Sequence, residues 1–394
     1  MTDHRTTGLT TVELFCGIGG FRVAAEELGL KTIWANDLNT VAAKVYKARY
    51  GVSNFHEGDI NQLANEVPIH DILTAGFPCQ PFSAAGKKEG IRDPRGTLFQ
   101  AIVDVVKRTQ PQHFVLENVR RLLSMEDGSH FATVLEALSR LNYFVEWRVL
   151  NAKDFALAQN RERVLIIGTR LPQNWDNDFD PTDYVRLANG ADLLSGPRGL
   201  PTLLRQPSTW RSLIRHGSKF PFWGVALNGN FLACTLTEFS EARSPVLIRE
   251  ILENTTSPEY DYTEQTISRL HKNDTVDKFV NGVEIISNQA GGARMGYTIF
   301  GVAGIAPTLT ASTSRHYERY KIGDKYRRLT PIEYARLQGF SDDHCNSVSG
   351  YDQYMLYGNA LPPPIAKWVL LSLLSTGTNP TPMPITTQPE LFHA

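Results

Sequence analysis

Cysteine is scarce in this chain of 394 residues: there are four, Cys16, Cys79, Cys234 and Cys345. They stand far apart and no pair has CxxC spacing, which speaks against a zinc site and against a disulfide framework. No metal is expected, and a reducing, cytoplasmic compartment fits this cysteine usage. Long apolar runs are missing as well. The longest candidate, Trp368–Leu374, falls far short of the roughly 20 residues that a membrane-spanning helix needs. Residues 1–10 are polar with no apolar h-region, so no secretory signal is expected. An excess of charge of either sign is absent: 40 basic residues face 41 acidic ones, for a formal net charge of −1. That excludes a globally basic nucleic-acid binder and leaves room only for a local basic face. Core material, in contrast, is plentiful. The chain is 42% hydrophobic and 21% charged, which excludes a wholly disordered protein, and its length predicts two or three domains.

The first 170 residues alternate short apolar runs with helical patterns. Strands are predicted at Thr10–Phe15, Thr32–Asn36, Asp71–Ala75, His113–Leu116, Tyr143–Leu150 and Arg163–Gly168. Helices are predicted at Gly20–Leu28, Thr40–Arg49, Leu98–Arg108 and Phe131–Leu141. Such alternation reads as an α/β fold with a doubly wound, mostly parallel sheet. The gap between the last two strands is too short for a crossover helix, so they are expected to pair antiparallel at a sheet edge. Leu171–Pro201, rich in Pro, Asp, Asn and Gly, reads as a linker. From Ser208 to about Thr310 the pattern is irregular, as in a smaller, loop-rich domain. Helices follow at Pro331–Leu337, with proline in the first turn, and at about Ile365–Leu374. The Thr/Pro-rich tail is expected to be disordered.

Three short blocks stand where strands end, and a fourth leads into a strand. Phe15-Cys16-Gly17-Ile18-Gly19-Gly20 is a glycine turn opening a helix, a place where a ligand can approach backbone. Arg22 replaces the third glycine of a dinucleotide fingerprint, which weakens a pyrophosphate cradle. Asp37, followed by Leu38, can accept from a ribose diol, and Asp59, followed by Ile60, can read an adenine amino group. Together these suit a nucleoside cofactor without a pyrophosphate. Gly76-Phe77-Pro78-Cys79-Gln80-Pro81 brackets a cysteine between prolines in a stiff loop. A buried core cysteine needs no such bracket. Leu116-Glu117-Asn118-Val119 ends the next strand and can face the same crevice. In Gln159-Asn160-Arg161-Glu162-Arg163, alternation on an extended backbone puts both arginines on one side, suited to an anionic or carbonyl-bearing ligand. Two basic stretches lie outside this half. One, Arg315–Arg336, carries seven basic and three acidic residues with four interleaved tyrosines. The other, Arg198–Lys219, holds five basic residues and no acid. Both suit a phosphate backbone, although charge runs are usually solvated faces.

These blocks, in this order, resemble the DNA (cytosine-5)-methyltransferase family of bacteria and phages. The likeness covers Thr11 to about Arg170 and Arg327 to Trp368, and includes Arg328-Leu329-Thr330-Pro331, Arg336-Leu337-Gln338-Gly339-Phe340 and Tyr357-Gly358-Asn359-Ala360. It implies the S-adenosylmethionine-dependent methyltransferase fold, with a catalytic domain at 1–185 and a target-recognition domain at 186–350. A C-terminal segment at 351–376 would return to the catalytic domain, and the tail would be 377–394. It implies S-adenosylmethionine against Phe15, Gly17, Gly19, Asp37, Leu38, Asp59, Ile60, Pro78, Leu98 and Asn359. Cys79 would add to cytosine C6, Glu117 would serve ring N3, and Arg163 would hold O2. Arg161 would hold the loop and a neighbouring phosphate. DNA contacts are expected from Gln80, Ser83, Arg95, Arg315, Arg319 and Arg328, and Ser83–Arg95 is expected to close over an extruded base as a lid. Double-stranded DNA is the implied partner of a monomeric enzyme, with a cognate restriction endonuclease as a second partner. Three alternatives stay open: a tRNA cytosine-5 methyltransferase, a catalytically silent DNA-binding protein, and a nicotinamide dehydrogenase, against which Arg22 argues.

Overall fold

A computed structural model describes residues 8–78, 98–173, 175, 179–188, 190–197, 199–216, 218–236, 239–270, 274–288, 298–311 and 318–375. Ten strands form the main sheet: β1 (Thr10–Leu14), β2 (Lys31–Asp37), β3 (Phe55–Glu57), β4 (Ile72–Gly76), β5 (His113–Val119), β6 (Tyr143–Asn151), β7 (Glu162–Arg170), β8 (Arg211–Ser212), β9 (Trp223–Leu227) and β10 (Asn230–Cys234). Their order is β3-β2-β1-β4-β5-β7-β6-β9-β10-β8. The first five run parallel, and β7 enters antiparallel between β5 and β6. The predicted antiparallel pair is present. It is not at an edge, because β9 pairs with β6 and carries β10 and β8 beyond it.

The parallel strands are apolar because both their faces are covered. Val12, Leu14, Leu73, Ala75, Phe114 and Leu116 are all buried. On the helix Leu98–Thr109, Phe99, Ile102, Val105, Val106 and Thr109 are buried, the spacing of a stripe turned to a core. The helix Gly20–Glu27 lies against the helix Pro363–Leu374. A Cβ on Gly20 would sit 2.3 Å from the Leu361 carbonyl oxygen, so only glycine permits this approach. The C-terminal segment is thereby fixed beside the first glycine turn.

Two expectations are corrected. Leu171–Pro201 is no solvated linker among the described residues, since Leu171, Val185, Leu187, Ala188 and Leu200 are buried. The polar composition hides a buried acceptor: the Glu146 carboxylate takes the backbone N–H groups of Arg186, Leu187 and Ala188 and the Trp223 indole, at 2.7–3.0 Å. Nearby, Arg148 pairs with buried Asp192 at 2.6 Å. Moreover, β8–β10 fall within the span expected to form a separate recognition domain, yet they extend the main sheet.

A second sheet has the order β11 (Asp274–Val280), β12 (Val283–Asn288), β13 (Ile299–Phe300), β14 (Arg319–Ile322), β15 (Lys325–Arg327). Asn281 and Gly282, both left-handed, close its first hairpin. The helix Pro331–Gln338 follows, with a Thr330–Glu333 capping box and Gly339 as left-handed C-cap. Buried Arg327 holds Glu333 through Nη1 and Nη2, at 2.7 and 2.6 Å.

Candidate active site

The glycine turn after β1 is built from left-handed residues: Phe15 (φ 53°), Gly17 (φ 55°) and Gly19 (φ 85°). Phe15 carries strain of about 1–3 kcal/mol there, being neither glycine nor asparagine. Asp37, at the end of β2, holds the turn: its Oδ2 accepts from Gly17 N at 2.7 Å and its Oδ1 from Asn39 N at 2.8 Å. Burial pushes this carboxyl up, and the backbone N–H groups of Asn39, Gly17 and Leu38 oppose the push. A carboxylate offers about four acceptor positions, so with three N–H groups on it about one remains for a diol hydroxyl. Leu38 beside it is 66% exposed, an apolar face left to water at the mouth of the sheet. Asp59 caps the helix Ile60–Leu63, accepting from Asn61 N at 3.0 Å, while Ile60 is buried beneath. Pro78 and Asn359 are exposed and Leu98 is half-buried. Arg22, where a dinucleotide site wants glycine, is engaged with Glu26 at 2.8 Å and lies over the Tyr50 ring. The set suits a nucleoside presented without phosphates.

Glu117 and Arg163 meet, a pairing that the sequence reading did not anticipate. In the parallel register Gly76 stands beside Glu117, and Val119 pairs with Arg163 on β7. The Arg163 Nε lies 2.8 Å from Glu117 Oε1, with both side chains largely buried. Burial pushes the Glu117 carboxyl up, and Arg163 then Arg161 pull it down. The net effect leaves the carboxyl above its ordinary value, beside a fixed cation. Asn118, which motif reading passed over, donates from Nδ2 to the Phe77 carbonyl at 2.9 Å. It ties the end of β4 to β5 two residues ahead of Cys79. A buried amide inside a strand was the available signal.

Arg161 departs from expectation. It is fully buried. Its Nη1 donates to the Leu309 carbonyl at 3.0 Å, and its Nη2 to the carbonyls of Gly358 and Ala360 at 2.8 and 2.9 Å. A guanidinium so enclosed holds no DNA phosphate; it grips the two residues that flank Asn359. Gln159 works alongside, donating to the Leu337 carbonyl at 3.3 Å and accepting from Leu309 N at 3.1 Å. Sequence reading also missed His344, whose Nε2 lies 2.8 Å from the Ile18 carbonyl and braces the glycine turn. Of the expected DNA contacts, Arg319 and Arg328 are half-buried and lie over tyrosine faces, at 5.8 Å from Tyr262 and 5.3 Å from Tyr260. Cys79, Gln80, Ser83, Arg95 and Arg315, and the proposed lid, lie outside the described residues.

Comparison with known proteins identifies the family. The family described as C-5 cytosine-specific DNA methylase matches residues 9–375. The Type II methyltransferase M.DsaV of Dactylococcopsis salina is 39% identical over 93% of this chain and 86% of its own length. The Type II methyltransferase M.HhaI of Haemophilus parahaemolyticus is 30% identical over 91% of this chain and 92% of its own. M.NgoBI of Neisseria gonorrhoeae is 48% identical over a shorter stretch, 40% of this chain and 50% of its own, so the chain spans about half the length of that relative. In structure, the Dnmt2 methyltransferase of S. pombe superposes with a TM-score of 0.60 at 18% identity, covering 93% of this chain and 98% of that one, which supports the fold. With a methyltransferase sheet, a glycine turn and the matching profile along nearly its whole length, the chain belongs to the C-5 cytosine-specific DNA methylase family, whose Type II members draw their methyl group from S-adenosylmethionine.

Proposed function

We propose that the chain transfers a methyl group from S-adenosylmethionine to C5 of a cytosine extruded from duplex DNA, through a transient bond between Cys79 and C6. The observation that carries this reading is the buried Glu117–Arg163 pair, 2.8 Å across, at the end of β5 beside the strand that leads to Cys79. When bound, S-adenosylmethionine supplies a sulfonium methyl, an electrophile with a neutral thioether as leaving group. Phe15, Gly17, Asp37, Leu38, Asp59 and Asn359 would hold it over the carboxyl ends of β1 and β2.

Cytosine C5 is a poor nucleophile until electrons are fed into the ring. The Cys79 thiolate would form an S–C6 bond, and the displaced electron pair would move through C5 toward N3. Glu117 would give N3 its proton, which burial favours by raising that carboxyl. Arg163 would hold the ring O2 as a fixed cation and, by its ion pair, keep Glu117 from drifting. C5 then takes the methyl. Transfer of the C5 proton to a solvent water and departure of the Cys79 sulfur from C6 with the S–C6 electron pair restore the C5–C6 double bond, giving 5-methylcytosine and the thiolate, and N3 gives its proton back to Glu117. Extrusion of the base costs a few kcal/mol, which contacts to the pocket must offset. We assign target reading to the second sheet and the loops around it, where Arg319 and Arg328 sit among tyrosines. The same reading takes the enzyme as a cytoplasmic monomer with a cognate restriction endonuclease as its partner in the cell.

The test is transfer of label from S-adenosylmethionine to duplex DNA, with tRNA and a Cys79→Ser variant in parallel, and a 5-fluorocytosine duplex as trap. Labelled DNA, an inert variant and a covalent complex through Cys79 are expected. Labelled tRNA with unlabelled DNA, or no trapping, overturns the reading.

A further inference from the structure

Residues 193–237 contain no aspartate or glutamate in 45 positions, while Arg198, Arg205, Arg211, Arg215 and Lys219 fall among them. The described part of this stretch is held against the catalytic end of the sheet. Phe220 N donates to the Leu123 carbonyl at 3.0 Å, and a Cβ on Gly128 would lie 2.0 Å from the Ser218 carbonyl oxygen. Val149 N donates to the Phe222 carbonyl at 2.8 Å. The Phe222 ring lies 5.4 Å from the Arg120 guanidinium and 5.6 Å from the Lys219 ammonium. Arg120 in turn pairs with Glu162 at 2.5 Å, and Glu162 stands between Arg161 and Arg163. A continuous surface therefore leads from Glu117 and Arg163 to Lys219. Along it Arg121, Arg215 and Lys219 are exposed, and none has a carboxylate partner among the described residues.

We propose that Arg121, Arg215 and Lys219 form a basic track that holds the phosphate backbone of the duplex to one side of the target cytosine. This rests on the DNA-methylating reading above. Charge complementarity selects the occupant: three cations without a carboxylate partner among the described residues, on a surface that leads away from Glu117 and Arg163, fit a polyanion already seated there. The span is also suitable. From β5 to β9 the sheet takes three steps, through β7 and β6. At about 4.8 Å per step that is about 14 Å, or about four base pairs along one strand. These residues touch phosphates and read no bases.

The experiment is the salt dependence of equilibrium binding, measured for the whole chain and for the triple variant Arg121→Gln, Arg215→Gln, Lys219→Gln. The probes are one duplex extended about ten base pairs on both sides of the target and two duplexes cut back to about three on either side. Three lost phosphate contacts lower the slope of log K against log salt by about 2.7 on the extended duplex. One truncation should lower the wild-type slope by a similar amount, and the variant should lose nothing further on it. An unchanged slope in a variant with the wild-type melting temperature overturns the track. So does an equal loss on all three duplexes, which would put the cations at the target itself. Failure of the underlying reading shows separately, as wild-type protein that transfers no methyl to the extended duplex.

Discussion

Replacing Arg161 by methionine removes three hydrogen bonds at once and leaves the carbonyls of Leu309, Gly358 and Ala360 buried and unpaired. Each orphaned carbonyl costs about 1–3 kcal/mol, and the sum is partly offset because a guanidinium no longer has to be desolvated. A net loss of about 3 kcal/mol of stability is expected. The functional consequence is more specific. Gly358 and Ala360 flank Asn359, so loss of the clamp frees a pocket residue while leaving Glu117 and Arg163 paired. If one hydrogen bond to cofactor, about 0.5–1.5 kcal/mol, is lost with Asn359, KM for S-adenosylmethionine rises about 2–13-fold. The assay is steady-state methyl transfer at saturating DNA and varied cofactor, with thermal unfolding of the same variant. Lysine at this position, a point charge that reaches one or two carbonyls, should recover part of both losses. A variant of unchanged stability and unchanged cofactor KM, impaired only in kcat or in DNA binding, would refute the clamp and restore a direct role in the reaction.

Three further outcomes follow from the geometry. Glu117→Gln keeps a hydrogen-bonding group but cannot exchange a proton, so single-turnover methyl transfer should fall by about 10²–10⁴-fold while DNA affinity holds. Because burial raises the Glu117 carboxyl, wild-type activity should decline as rising pH strips that proton, and the variant should lack this limb of the profile. Asn118→Ala releases the Phe77 carbonyl; kcat should drop with little change in cofactor KM, as measured by the same kinetics. His113 and His344 are both pushed down to about 4 by burial, so the folded protein holds them neutral. Their folded values lie below the unfolded one, so this stability is complete above about pH 6.5 and is lost as pH falls toward 4, by about 3 kcal/mol for each ring. Melting temperatures across that range should show the fall, and His344→Asn should flatten it.

What could be read in the sequence, and what could not, divides along a physical line. The ends of β1, β2 and β4 at Leu14, Asp37 and Gly76 were legible to within a residue because period, burial and a parallel sheet leave few ways to arrange them at the carboxyl edge where ligands bind, whereas β5 runs on to Val119, three residues past the expected end at Leu116. The three-residue strand Phe55–Glu57 was not, being too short to show a period. Leu171–Pro201 misled through its composition: its polar residues read as solvated, yet Glu146, placed in sequence 40 residues before Arg186, gathers its backbone into the core. Arg161 misled in the opposite way. Side-chain alternation puts Arg161 and Arg163 on one side of an extended backbone, but β7 begins only at Glu162. Arg161 lies just before that strand, where its direction is set by carbonyls at 309, 358 and 360 rather than by the pleat. Periodicity speaks for residues inside an element. At its ends the deciding partners are remote in sequence, and there a charged side chain beside a catalytic one can serve the scaffold instead of the substrate. The Arg161→Met and Arg161→Lys pair separates these two roles, because only the scaffold role couples lost stability to weakened cofactor binding.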